Sequence, residues 1–365
     1  MTRIKDVITE LERFAPPVLQ EGYDNSGFLI GNANEELKGV LVCLDTTEDI
    51  VQEAIDKNLN LIISHHPIIF KGLKSLTGKN YIERTLLKAI KNDIAIYAIH
   101  TNLDNIFQGV NFQIAKTLKL KDLSILDASN NKLLKLVVFV PNTHLNEVKE
   151  ALFNAGAGNV GNYSNCSFYT EGKGSFKANE KADPFVGEIG KTHIEEESKL
   201  EIILPSYLKS TVLSALFKVH PYEEVAFDII PLLNNDPKTG SGMIGFLEDE
   251  MDENSFLDFL KKTMNTECIR HSQLLGKKIS KIAFCGGSGD FLLESAILQN
   301  ADVFISGDFK YHRFFDADNK IVIMDIGHYE SEQFTIDLLV GFLTEIFSTF
   351  AIRFTEVKTN PINYF

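Results

Sequence analysis

Apolar and polar positions along this chain keep two rhythms, and the places where one gives way to the other mark its organisation. At the start, MTRIKDVITELERFAPP puts Ile4, Val7, Ile8, Leu11 and Phe14 on one stripe of a 3.6-residue period, which predicts an amphipathic helix. From residue 39 to 105, short apolar runs alternate with amphipathic stretches. GVLVCLDTT, LNLIISHHP and IAIYAIHTNLD read as strands, with EDIVQEAIDKN and YIERTLLKAIKND as the helices between them. Apolar strands separated by helices of this length predict a sheet covered on both faces. A further helix, NIFQGVNFQIAKTLKL, follows the third strand.

Near residue 125 the rhythm changes. LDASNNKLLK is polar and turn-rich, and KLLKLVVFVP opens a new strand. Then come a helix (HLNEVKEALFNAG), a Gly/Asn-rich stretch with short aromatic strands, SKLEIILP, a second helix (YLKSTVLSALFKVH) and the strand EEVAFDIIPL. Strand, helix, strands, helix, strand is the split βαβ, ferredoxin-like pattern. After LNNDPKTGSG the first rhythm returns in KKISKIAFCGGSGDFLLESAILQNADVFISGD and KIVIMDIGHYESEQFTIDLLVGFLTEIF. The expected fold class is therefore α/β. A discontinuous two-lobed core is built from residues 1–127 and 237–365, with a ferredoxin-like α+β module, 128–236, inserted between them.

Composition narrows the function classes. Hydrophobic residues are 44% of the 365, enough for a sizeable core. A net charge of -14 argues against bulk attraction to nucleic acid or anionic lipid. No apolar run approaches the roughly 20 residues of a membrane span, and the first helix lacks the apolar centre of a signal peptide. A cytoplasmic protein is expected. Cys43, Cys166, Cys268 and Cys285 lie far apart with no C-x-x-C pair, and Cys43 and Cys285 sit in apolar runs. Neither a thiolate zinc site nor a disulfide scaffold is indicated.

The candidate chemistry is histidine and carboxylate. His65, His66, His100, His312 and His328 lie at strand ends or just beyond, where open α/β sheets bind ligands. His65 and His66 close an apolar strand, and neighbouring side chains on a strand leave on opposite faces, so each is expected to serve a different ion. His328 and Glu332 are four apart at a helix start, on one face. Two adjacent ions need a bridging group, and Glu332 with its two oxygens is the candidate; Asp104 completes one ion and His328 the other. Imidazole plus carboxylate without thiolate suits zinc, iron, manganese, cobalt or nickel, with zinc placed first. Glu330 reads as a solvated first-turn acid.

YDNSGFLIG, LIISHHPIIF, HTNLDN, FCGGSG, ADVFISGDFKYH and DIGHYESE, in this order, resemble the GTP cyclohydrolase I type 2 homologues, also called the Nif-three-like or interacting-factor-three-like proteins. The resemblance covers about residues 1–125 and 240–365. It implies a two-metal site on His65, His66, Asp104, His328 and Glu332, and a ring-shaped homohexamer with its metal sites facing an inner cavity. Residues 133–233 resemble the insert of a subset of these proteins, and HPYEEVAFDI is similar to PII-like or divalent-cation-tolerance-like modules.

Several groups keep two readings open. His100 is a positioning partner of Asp104 or a proton carrier, and it is taken as the catalytic candidate. Lys310 and His312 meet an anionic substrate or solvate a loop. CGGSGD holds a phosphate on its amides or is a plain strand-to-helix turn. His220, Glu223 and Glu224 form a further metal site or a solvated strand start. The expected function is a metal-dependent hydrolase acting through metal-activated water, GTP cyclohydrolase-like by resemblance. The alternative is a non-catalytic metal-binding or regulatory hexamer gated by the insert.

Overall fold

A computed structural model describes residues 1–130 and 132–365. The chain divides into two compact units: Met1–Asp127 with Lys238–Phe365, and Ala128–Pro237. The strands of the first unit are β1 (Gly27–Ile30), β2 (Gly39–Cys43), β3 (Leu61–Ser64), β4 (Ala95–Ala98) and β5 (Lys121–Ala128). The second unit supplies β6 (Leu133–Pro141), β7 (Phe168–Lys177), β8 (Thr192–Pro205) and β9 (Phe227–Leu232). The first unit resumes with β10 (Gly240–Asp252), β11 (Arg270–His271), β12 (Lys278–Ser288), β13 (Val303–Gly307), β14 (Val322–Asp325) and β15 (Ala351–Phe354).

The first unit holds two sheets. One has the order β1-β4-β3-β2-β15, with β4, β3, β2 and β15 parallel and β1 antiparallel at the edge. The other has the order β11-β14-β13-β12-β10-β5, parallel through β14, β13 and β12. Strands β2, β3, β4, β13 and β14 are buried at every position, which is why they read as continuous apolar runs rather than alternating ones. Helices Glu48–Asp56 and Tyr81–Lys91 bury Ile50, Val51, Ala54, Leu86 and Ala89 against Leu41, Ile62 and Ile96 of the sheet. Both start at a side-chain cap, Thr47 on the Ile50 amide and Asn80 on the Glu83 amide. The N-terminal helix spans Ile4–Phe14 and buries Ile4, Val7, Ile8 and Leu11 as its stripe requires. Among the described residues, no helix is long and apolar enough to cross a membrane.

The second unit is one four-stranded antiparallel sheet, β7-β8-β6-β9, with helices Leu145–Asn154 and Lys209–Val219 packed on it. Numbered within the unit, the strand order is 4-1-3-2 with βαββαβ connectivity, the split βαβ arrangement. Five strands (β1, β5, β10, β11 and β15) and the helix Glu253–Thr263 have no counterpart in the hydrophobic pattern of the sequence.

Candidate metal centre

The residues of interest gather where the parallel strands of the first unit end. His65 and His66 follow β3, and their amides bond to the Cys43 and Leu44 carbonyls beside the end of β2. Asp104 lies in the short helix Thr101–Asp104 after β4, and His328 and Glu332 lie in the helix His328–Glu332 after β14. Asp325, at the tip of β14, accepts from the Phe309 and Gly327 amides, and so fixes the turn that launches the His328 helix.

The imidazoles are held in defined orientations. His65 Nδ1 donates to the Ile99 carbonyl at 2.8 Å, which leaves Nε2 as a lone pair. That atom faces Asp104 Oδ1 and Glu332 Oε1, each at 3.6 Å. His65 Nε2 and Asp104 Oδ1 are buried with no hydrogen-bond partner. His66 Nδ1 is paired with Asp45 and His328 Nδ1 with Asp308, both at 2.8 Å. Their Nε2 atoms are 3.3 Å apart, and they lie 2.9 and 3.2 Å from the other oxygen of Glu332. Glu332 thus offers Oε1 to one set of donors and Oε2 to the other. Among the described residues, three groups could hold a metal ion: His65, Asp104 and Glu332; His66, His328 and Glu332; and His65, His66 and His100. Lone-pair acceptors that face one another without a proton between them are what a cation satisfies, and carboxylate-oriented imidazoles are the usual support of metal ligands. The residues fit divalent cations.

Electrostatics record the same convergence. Burial works against the charge of His66, but Glu332 and Asp45 outweigh it and raise its pKa to about 10. His328 is raised to about 11 by Glu332 and Asp308, again against burial. Burial pushes the Glu332 carboxyl up, and the His328, His66 and His65 imidazoles pull it well below the ordinary carboxylate range. Burial, then the Glu332 charge, lifts Asp104 to about 7. Burial also pushes up the Cys285 thiol, so it contributes no thiolate to the pocket it lines.

A cavity of about 770 Å³ opens onto these donors, with Tyr23, Phe70, His100, Phe291 and Ile362 in its wall. His100 Nδ1 bonds Asp24 at 2.8 Å, so Asp24 orients this ring. Asp24 also accepts from Ser26 and from the Thr101 amide and hydroxyl, which explains the YDNS stretch. Lys310 and His312 are not brought to the cavity: Phe309 buries its ring against Phe304, and the chain after it turns outward, leaving both exposed. The CGGSGD amides are already used, Gly287 by the Ser331 hydroxyl, Gly289 by Ser306 and Gly286 by Asn111. The plain turn is the reading that fits. Gly287 has φ +63°, and a Cβ there would lie 2.3 Å from Glu332 Oε1, so glycine is what lets the carboxylate approach. Glu330 differs from expectation. It is buried rather than solvated, because Asn360 donates to its Oε1 at 2.9 Å. His220 uses both ring nitrogens, one on the Phe139 carbonyl and one on the Tyr222 amide, and joins no metal-type group among the described residues.

Asp24, Asp45, Asp308, Thr359 and Asn360 were missed in the sequence. The first three shared a signal, a carboxylate one or two residues beyond a strand or beside a motif. The last two had none, since Thr359 reaches Asp45 only through the fold, at 3.0 Å.

Known proteins resemble this chain over most of its length. The family model Duf34/NIF3 (NGG1p interacting factor 3) matches residues 2–361. A Halalkalibacterium halodurans protein named GTP cyclohydrolase 1 type 2 homolog is 42% identical over 324 residues, 88% of this chain and 87% of that one. A Bacillus subtilis protein of the same name is 36% identical over 366 residues, 99% of this chain and 98% of that one. Among solved structures, a Bacillus cereus protein related to NIF3 superposes with a TM-score of 0.87 at 36% identity, covering 100% of this chain and 99% of that one.

Proposed function

The chain belongs to the Duf34/NIF3 family, and on that premise we propose that its strand-end pocket holds two divalent cations and serves the hydrolysis of a small polar substrate. The observation that carries this reading is the split use of Glu332, with Oε1 toward His65 and Asp104 and Oε2 toward His66 and His328. One carboxylate shared by two sets of nitrogen and oxygen donors is the arrangement of a bridged pair. When bound, such cations supply Lewis-acid polarisation of the substrate and a more acidic water. Zinc is the first candidate, then iron, manganese, cobalt and nickel, because every donor is nitrogen or carboxylate oxygen.

The chain's own residues do the rest. Asp45, Asp308 and the Ile99 carbonyl lock three imidazoles with Nε2 inward, so no reorganisation is needed at the moment of reaction. His100, held by Asp24 through Nδ1, keeps Nε2 free to accept or return a proton at the cavity wall. Tyr23, Phe70 and Phe291, each half or more exposed, form an apolar part of the cavity rim. Relatives carry the name GTP cyclohydrolase 1 type 2 homolog, which puts the purine ring of GTP first among substrates to try. The test is turnover of GTP and a panel of phosphoesters by metal-replete protein, with His100→Ala as comparison. Turnover that falls at least tenfold in His100→Ala supports the hydrolase; no turnover on any compound with both metals bound removes it.

A non-catalytic, regulatory reading draws on one observation, the separate cavity in the second unit. In that reading the PII-like module senses a ligand and the metals are cargo or structure. The self-association proposed with either reading is the homohexamer that the family resemblance implies, and the exposed Tyr311 and Phe315 on the first unit are apolar surface it would cover.

A further inference from the structure

The second unit contains a cavity of about 400 Å³ that the hydrolytic chemistry does not use and for which the regulatory reading names no ligand. Phe139, Phe176, Phe185 and Tyr222 supply its aromatic wall, with ring centroids of Phe176 and Phe185 at 6.1 and 6.3 Å from Tyr222. Set among them is Glu197 of β8, only 8% exposed. Its Oε1 accepts from the Tyr222 hydroxyl at 2.9 Å, and among the described residues no cation pairs with it. A Cβ at position 174 would lie 2.0 Å from Glu197 Oε2, so Gly174 leaves the room in which the carboxylate sits. The connection from β7 to β8 forms another wall, fastened by the Asp183 amide on Glu223 and the Gly190 amide on the Ala178 carbonyl.

A buried carboxylate with one hydrogen bond is an unfavourable arrangement unless a positive partner completes it. Three acids, Glu197, Glu223 and Glu224, line the cavity against the single Lys177, so its field favours a cation. A metal ion does not fit. Among the described residues no three ligating atoms converge here, and both His220 nitrogens are engaged. One carboxylate flanked by aromatic faces is instead the recognition chemistry of organic cations. We propose that this cavity binds a small organic cation, a guanidinium or alkylated ammonium group, with Glu197 as counter-ion and Phe176, Phe185 and Tyr222 as its aromatic wall.

The chain contains no tryptophan, so Phe185→Trp introduces a single fluorescent reporter at the wall. Methylguanidinium and tetramethylammonium are titrated against this protein with both units present, with sodium chloride at matched ionic strength as blank. The expected result is a saturable change with one or both cations and none with sodium. Adding Glu197→Gln, whose amide oxygen still accepts from Tyr222, should weaken binding at least tenfold, whereas the exposed Glu196→Gln should leave it unchanged. Should Glu197→Gln lose its cooperative melt, Phe176→Leu in the same background provides the second test, with an expected loss of several-fold. No saturable change with either cation, equal affinity in Glu197→Gln, or tighter saturation by benzoate or inorganic phosphate would overturn the proposal.

Discussion

Glu332 is the residue on which both sets of donors depend. Glu332→Gln leaves one neutral oxygen where two charged ones stood, so metal content should drop on both sides together; elemental analysis of folded protein checks this. Asp45→Asn should act on one side only. It weakens the support of His66, so metal affinity should fall about 10–100-fold at that ion while the ion on His65 and Asp104 stays. Competition with a chelator, read as two separate release phases, distinguishes the two outcomes. Protons add a further check. His66 and His328 reach pKa values of about 10 and 11 in the cation-free chain, so at pH 7 each holds a proton that a cation must displace. Metal uptake should therefore release protons, and apparent affinity should rise with pH below those values. Calorimetry in two buffers of different ionisation enthalpy measures the release. At this scale the donor residues were legible because imidazoles at strand ends are conspicuous. Asp24, Asp45 and Asp308 were not, because a lone carboxylate near a strand end or a motif looks the same whether it supports a ligand or meets water. Glu330 misled for a related reason: its partner Asn360 is 30 residues away, beyond any helical periodicity.

Elements follow the same division. The buried parallel strands were readable because both faces are covered, and the helices because their stripes repeat. Strand β1 (GFLI) has four residues and β15 (AIRF) pairs with β2 across most of the sequence, so neither carries a local signal. Strand β5 lies at a sheet edge, buries only the adjacent Ile125 and Leu126, and was submerged in the polar stretch that follows it. The helices that cover β3 set stability more than chemistry. Leu86, 1% exposed in helix Tyr81–Lys91, packs into the core under the site. Leu86→Ala should cost about 2–5 kcal/mol by chemical denaturation while leaving metal stoichiometry intact.

For the whole molecule, the entry and exit of the second unit lie together, since the Asp236 amide bonds the Ser129 carbonyl at 3.2 Å. Replacing residues 128–237 by a short glycine linker joins β5 to β10, which are already neighbours in one sheet, so the first unit should fold and keep its metals. Loss of the metals on this deletion would show that the units are not independent. Light scattering should give six-fold the mass of one chain for the undeleted protein.

The same discontinuity has a consequence for biosynthesis. His66 and Glu332 touch across 266 residues of sequence. At about 5–20 residues per second, roughly 13–50 s of translation separate the first donors leaving the ribosome from the last. A nascent chain stalled before residue 328 should therefore capture no bridged metal pair, however much zinc surrounds it. Loading becomes an event of the finished polypeptide, and the intervening unit has time to fold before the halves on either side of it meet.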